Sequence, residues 1–199
     1  MQAHCVIEWG ENFRPSYLEI GKLRQKFGVP IQALTATCTP DAQRQLASRL
    51  GLLNYELIQG SVNRPELRYT TRNTDQICGG PGAELLDDET LDELMADDLA
   101  GFIEQQAGPG IVYARARKTC ELVASLLADR GVAAVAYHAG LSDRSRTQSA
   151  WIHSDEPGVI VATVAFGMGV NKSNVRFVAH WNLPTDLGAC VKSRLCLPS

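Results

Sequence analysis

The sequence predicts an α/β protein in which parallel sheets are flanked by helices, and three observations lead there. From Ile111 onward short β-branched runs alternate with helix-like segments in the order βαβαβ, followed by one more strand. Glycine and proline punctuate the joints, most clearly at Gly108-Pro109-Gly110. The 199 residues are 45% hydrophobic and 21% charged, the balance of a globular chain, and no apolar run is long enough to span a bilayer.

The elements follow in order. Ser16–Phe27 reads as a helix after Pro15, with apolar residues at Tyr17, Leu18, Ile20, Leu23 and Phe27. Val29–Ala36 fits a buried strand. Thr39-Pro40-Asp41 is a helix start: a hydroxyl cap, a proline in the first turn, then an acid facing the positive end of the dipole. This helix runs to about Leu50, where Gly51 stops it. Tyr55–Gln59 and Leu67–Arg72 read as strands, Thr74–Gly82 as a linker, and Asp87–Gln106 as an acidic amphipathic helix. Beyond Gly110 come strand Ile111–Tyr113, helix Arg117–Arg130, strand Ala133–Tyr137, helix Ser142–His153, and strands Val159–Ala162 and Val175–Trp181. Ligands of such sheets sit at the carboxyl ends of the strands. Tyr137–Gly140, Thr163–Gly169 and Trp181–Pro184 all follow strands at that edge.

Composition narrows the function classes. MQAHCVIEWG lacks the basic start and apolar stretch of a signal peptide, so a nuclear or cytoplasmic location is expected, neither secreted nor membrane-bound. The six cysteines show no C-x-x-C pair, so ordinary reduced thiols are expected and no metal site. The net charge of −3 conceals an asymmetry: Ala83–Glu104 holds nine acids and no base, and the remainder carries 19 basic against 13 acidic residues. A mildly basic body suits nucleic acid, while the acidic run also reads simply as a solvated helix face.

The most informative stretch is Val159–Pro184, VIVATVAFGMGVNKSNVRFVAHWNLP: a strand, a glycine loop with Gly167 and Gly169, then a second strand. Glycines at a strand end let backbone N–H groups approach a phosphate because no Cβ intervenes. A lone G-x-G is a turn. The whole string closely resembles motif V of the RecQ family of DNA helicases, which in such motors lies between ATP and the DNA backbone. Four further segments resemble the same family. AHCVIEWGENFRPSY from Ala3 is similar to the end of a DEAH box followed by the aromatic-rich loop, with Trp9, Phe13 and Arg14 in the positions that sense single-stranded DNA; bases stack on aromatic faces and arginine pairs with phosphate. Ala33–Pro40 resembles motif III. Gly110–Lys118 resembles motif IV, with Arg117 and Lys118 matching and Ala116 where the family has serine. Tyr137–Asp143, YHAGLSD, is similar to the signature whose His138 and Gly140 approach the DNA backbone.

The resemblance implies parts of two RecA-like helicase lobes. Residues 1–73 would be the C-terminal part of the ATP-binding lobe 1, 74–108 a linker and acidic helix, 109–187 an incomplete lobe 2, and 188–199 an unmatched tail. It implies Thr163 as a hydroxyl to a DNA phosphate, and Gly167, Gly169 and Asn171 as nucleotide-proximal. Asn171 stands where the family has aspartate, which keeps the acceptor oxygen and loses the charge. It implies ATP and Mg²⁺ as cofactors, DNA as partner, and 3′–5′ unwinding in replication, recombination or repair. The chemistry of ATP hydrolysis is incomplete in these residues. There is no G-x-x-x-x-G-K-[ST], Met1 and Gln2 stand in place of the two DEAH acids, and His4 is the remnant of that box. The arginine-finger segment expected after Leu187 has no counterpart in Gly188–Arg194. The expectation is therefore a middle slice of a RecQ-type helicase that does not hydrolyse ATP alone. The alternative is a non-catalytic single-stranded nucleic-acid binder or regulatory decoy, and a third outcome is a product that folds poorly.

Overall fold

The computed structural model describes residues 3, 6, 19–35, 38–61, 65–154, 158–167 and 172–184. The chain divides into two compact units, Met1–Leu67 and Arg68–Ser199.

In the first unit, α1 (Ile20–Phe27) follows a turn at Glu19, the residues of the expected helix before Glu19 lie outside the described residues, and Gly28 follows α1 with φ +63°. Helix α2 (Pro40–Arg49) begins as its sequence dictates: Thr39 Oγ1 accepts the Ala42 N–H at 3.2 Å, with Pro40 and Asp41 in the first turn. Its end is a Schellman turn. The Leu52 N–H donates to Ala47 O and the Gly51 N–H to Ser48 O, and Gly51 takes φ +62°, the conformation that makes glycine the favoured residue there. Ala3, Val6, Leu46 and Leu50 form a small core, with Ile20, Ala33 and Leu52 against it.

The strands expected at Val29–Ala36, Tyr55–Gln59 and Leu67–Arg72 do not form within the described residues. Leu34 makes an isolated bridge, its carbonyl accepting the Ala3 N–H at 2.8 Å, and Val29, Leu34, Tyr55, Leu57, Ile58 and Tyr69 are exposed. The physical reason is pairing: a strand is stable only beside another backbone that takes up its N–H and C=O groups, and apolar composition cannot supply that neighbour.

The second unit opens with α3 (Thr74–Ile77), a single helical turn where the sequence suggested a linker. Asn73 and Gln76 form a reciprocal capping box that closes it. Helix α4 (Asp88–Glu104) is the acidic helix, capped by Asp87, whose carboxylate accepts the Thr90 N–H at 2.7 Å. Then come β1 (Gly110–Tyr113), α5 (Arg117–Asp129), β2 (Ala134–Tyr137), α6 (Arg144–His153), β3 (Val159–Ala162), a 3₁₀ turn at Val164–Gly167 and β4 (Phe177–His180). The sheet is parallel throughout, in the order β2-β3-β1-β4, with Gly110 opposite both Val159 and Phe177. This is the predicted α/β class: a parallel sheet with flanking helices. Helix α6 starts two residues later than expected and β4 is shorter at both ends, because Ser142 and Asp143 are taken up in a turn and the ladder with β1 spans only Phe177–His180.

Period-two alternation sends neighbouring strand residues into two cores. Val112, Val159, Val161 and Phe177 face α4 and α5 and pack on Ala96, Ala100, Cys120, Val123 and Leu127. Ile111, Tyr113, Ile160 and Ala162 face the other way, onto Trp151, Phe166 and Val175. Phe102 meets Phe177 edge to face at 5.5 Å. Gly110 admits that ring, since a Cβ there would stand 2.0 Å from Phe177 Cζ. Arg130, just past α5, donates to Glu93 and Asp97 and to the carbonyls of Glu93 and Leu126, fastening α4 to α5. Among the described residues no helix is long and apolar enough to cross a membrane.

Candidate nucleic-acid interface

In a parallel sheet every strand ends at the same edge. In the second unit that edge gathers the residues after β1, β2, β3 and β4: Arg115–Lys118, His138–Gly140, Thr163, and Trp181-Asn182. Two links hold the outer turns together. The Arg115 N–H donates to Asn182 Oδ1 at 3.2 Å, and the Arg115 guanidinium reaches Leu183 O at 3.5 Å. Arg115 is exposed but occupied with structure; Arg117 and Lys118, the first two residues of α5, are exposed as well.

The start of α5 concentrates positive potential. Its N-cap is Ala116, which has no side-chain cap hydrogen bond, so the first-turn N–H groups receive nothing from that position. Two cations and the positive end of the helix dipole coincide there. The cysteine two residues further along is core: burial, reinforced by Glu121, pushes the Cys120 thiol up to about 11.

After β2 the chain turns at His138, Ala139 and Gly140. His138 is 4% exposed, and both ring nitrogens are engaged: Nδ1 accepts the Gly140 N–H at 3.2 Å and Nε2 lies 2.9 Å from Glu121 Oε1. A Cβ on Gly140 would stand 3.2 Å from His138 Nδ1 and 3.5 Å from Arg117 Nη1, so the arginine lies close against this turn. After β3, Thr163 is half-buried and its carbonyl accepts the Phe166 N–H, opening the 3₁₀ turn that ends at Gly167.

Arg117, Lys118, His138, Gly140 and Thr163 therefore share one sheet edge, with Gly167 at the end of the turn beyond Thr163. His4, Trp9, Phe13, Arg14, Gly169 and Asn171 lie outside the described residues. Two roles escaped the sequence. One is the Arg115–Asn182 link, for which no local signal exists. The other is Lys172, 6% exposed, whose ammonium donates to Ile152 O and Ser154 O and lies 5.2 Å from the centre of the Trp151 ring. It terminates α6 as a cation at the negative helix end, a target that no local pattern in the sequence announces.

Residues 89–194 match the helicase conserved C-terminal domain family. Over 94% of its length the chain is 40% identical to the ATP-dependent DNA helicase RecQ of Haemophilus influenzae, 43% to the ATP-dependent DNA helicase Q5 of Mus musculus and 38% to the RecQ-like DNA helicase BLM of Xenopus laevis. It spans 28%, 19% and 13% of those three proteins, less than a third of each. Among solved structures it is similar in fold to S. cerevisiae Dbp5 bound to RNA and ADP BeF3, with TM-score 0.62, 14% identity, and 98% of this chain and 48% of that one covered. It is likewise similar to Prp28 from Chaetomium thermophilum bound to ADP, with TM-score 0.51, 18% identity, and coverage of 99% and 43%. With a family match over more than half of its residues and RecQ-type sequence along nearly all of them, this chain belongs to the helicase conserved C-terminal domain family, in its RecQ branch.

Proposed function

We propose that this chain is part of a RecQ-type ATP-dependent 3′–5′ DNA helicase and contributes the surface along which its second lobe follows a DNA strand. The observation that carries this reading is the pair of exposed cations, Arg117 and Lys118, at the uncapped start of α5 on the C-terminal edge of a parallel sheet. In this reading Arg117 and Lys118 meet phosphates, the Thr163 hydroxyl and the turn at Gly140 line the same track, and His138 shapes that track by holding the turn. Trp9, Phe13 and Arg14 supply stacking and a further phosphate contact. The work is DNA unwinding in replication, recombination or repair, in the nucleus or cytoplasm.

The ATP and Mg²⁺ of the family do not fit the donor set of these 199 residues taken alone. A Mg²⁺-nucleotide requires a phosphate-loop lysine and paired carboxylates, and the sequence has neither a G-x-x-x-x-G-K-[ST] string nor acids at Met1 and Gln2. The nucleotide-proximal role of Gly167, Gly169 and Asn171 is therefore proposed for the chain completed by such a loop. The second reading, a non-catalytic single-stranded nucleic-acid binder or decoy, draws on the same cationic edge without turnover.

Fluorescence anisotropy with a labelled single-stranded oligonucleotide tests the surface. Binding should weaken steeply with salt, and Arg117→Ala with Lys118→Ala should reduce both the affinity and the salt slope, by about one unit of slope for each phosphate that is no longer neutralised. Salt-independent or absent binding would remove the reading. The purified chain should show no DNA-stimulated ATP turnover, and turnover abolished by His4→Ala or Gly169→Ala would overturn the exclusion.

A further inference from the structure

The His138 ring is fully committed within the protein. Because Nδ1 accepts the Gly140 N–H, it carries no proton; the proton is on Nε2, which donates to Glu121 Oε1. An imidazole has no third polar atom, so this ring could give an N–H to a phosphate only by surrendering the Glu121 bond. Glu121 sits on α5 four residues after Arg117, one helical turn along the same face. The helix that carries the exposed arginine thus also carries the acid that orients the histidine. The turn held by the histidine is the one against which Arg117 Nη1 lies, 3.5 Å from where a Gly140 Cβ would be.

We propose that Glu121 and His138 are a positioning pair: Glu121 holds the Nε2–H form of His138, His138 Nδ1 holds the 138–140 turn, and that turn sets Arg117 for the DNA backbone without the imidazole touching it. This rests on the reading of the edge as a DNA-backbone surface. It explains a feature that contact with DNA alone leaves odd. A carboxylate whose side chain is 57% exposed stands beside the proposed phosphate track, where its charge opposes binding.

The charge provides a test whose sign discriminates. If Glu121 acted through charge alone, Glu121→Gln and Glu121→Ala would tighten single-stranded DNA binding by the same factor. As a positioning residue it gives opposite results in the anisotropy assay. Glu121→Gln keeps an oxygen to accept the Nε2–H and loses the charge, so it binds as tightly as the parent or tighter. Glu121→Ala loses the acceptor and binds roughly three- to tenfold more weakly. Equal tightening by both substitutions would overturn the proposal. Glu121 is exposed, so neither change removes core packing. ¹⁵N NMR of the histidine rings supplies a readout independent of DNA. His138 should be the Nε2–H tautomer with a protected Gly140 amide, and Glu121→Ala should lose that protection. An Nδ1–H tautomer would overturn the pair whatever the binding result. Absence of DNA binding by the parent chain, with the tautomer as stated, would instead bring down the reading of the surface and with it the pair's task there.

Discussion

The two units contain runs of similar kind with opposite fates. Val159–Ala162 and Gly110–Tyr113 are short, apolar and β-branched, and every residue in them is buried. Tyr55–Gln59 and Val29–Ala36 are also short and apolar, yet Ile58 is 86% exposed and Val29, Leu34, Tyr55 and Leu57 are exposed with it. The difference is neighbours. β1 pairs with β3 on one side and β4 on the other, and helices cover both faces. The runs of the first unit have no ladder beside them among the described residues, apart from the single bridge at Leu34. Strand propensity is a statement about fit to a sheet, and it has no effect until a sheet is present.

The contrast can be broken most severely by cavity formation. Leu127→Ala, in the core that α5 forms against the sheet, should cost about 2–5 kcal/mol, whereas Ile58→Ala should stay within about 0.5 kcal/mol. Urea unfolding followed by far-ultraviolet circular dichroism, with amide exchange read separately in each unit, would measure both, and similar costs would mean that the apolar run of the first unit is packed as tightly as the second core. Overfilling comes next. Gly110→Ala would drive a methyl into the Phe177 ring and should cost about 1–3 kcal/mol, with Phe177→Leu in the same chain recovering part of the loss. A smaller effect is expected at Arg130, which fastens the acidic helix. Arg130→Ala should cost on the order of 1 kcal/mol and speed amide exchange in α4, and Arg130→Lys should not restore it, because a lysine cannot reach two carboxylates and two carbonyls from one planar fork.

The smallest effect is a pH dependence at the start of α4. Thr90, through its backbone N–H and then its hydroxyl, holds the Asp87 carboxyl below the usual range. A carboxyl whose folded value lies below its unfolded value contributes stability above the unfolded value and loses it as pH falls through the folded one. Amide exchange at Thr90 should therefore rise on acidification, and Asp87→Ser, which keeps a capping oxygen without the charge, should flatten that response.

Of the interface, the residue types were readable where one short segment held the whole signal. Arg117 and Lys118 stand at the start of a helix that the pattern after Tyr113 announces, and Thr163 and Gly140 follow recognisable strand ends. What those residues touch was not readable. His138 resembled a DNA-facing histidine, and its ring is bound on both sides by Glu121 and Gly140, one of them 17 residues away. Arg115 and Arg117 are indistinguishable in sequence and both are exposed, yet Arg115 is tied to the residues just past β4 while Arg117 lies against the turn at Gly140.

Local chemistry was therefore sufficient for whatever a few adjacent residues settle among themselves. It placed the Thr39 cap and the Gly51 stop of α2 and the alternation that yields a parallel sheet, because each depends on hydrogen bonds and dihedrals within one turn or one strand. Folding assigned the rest: which apolar runs become strands, which arginine is tied to the chain past β4, and where Lys172 sends its charge. Those outcomes depend on groups brought together from distant positions, and the energy of a ladder, a buried ion or a ring contact exists only once both partners are in place.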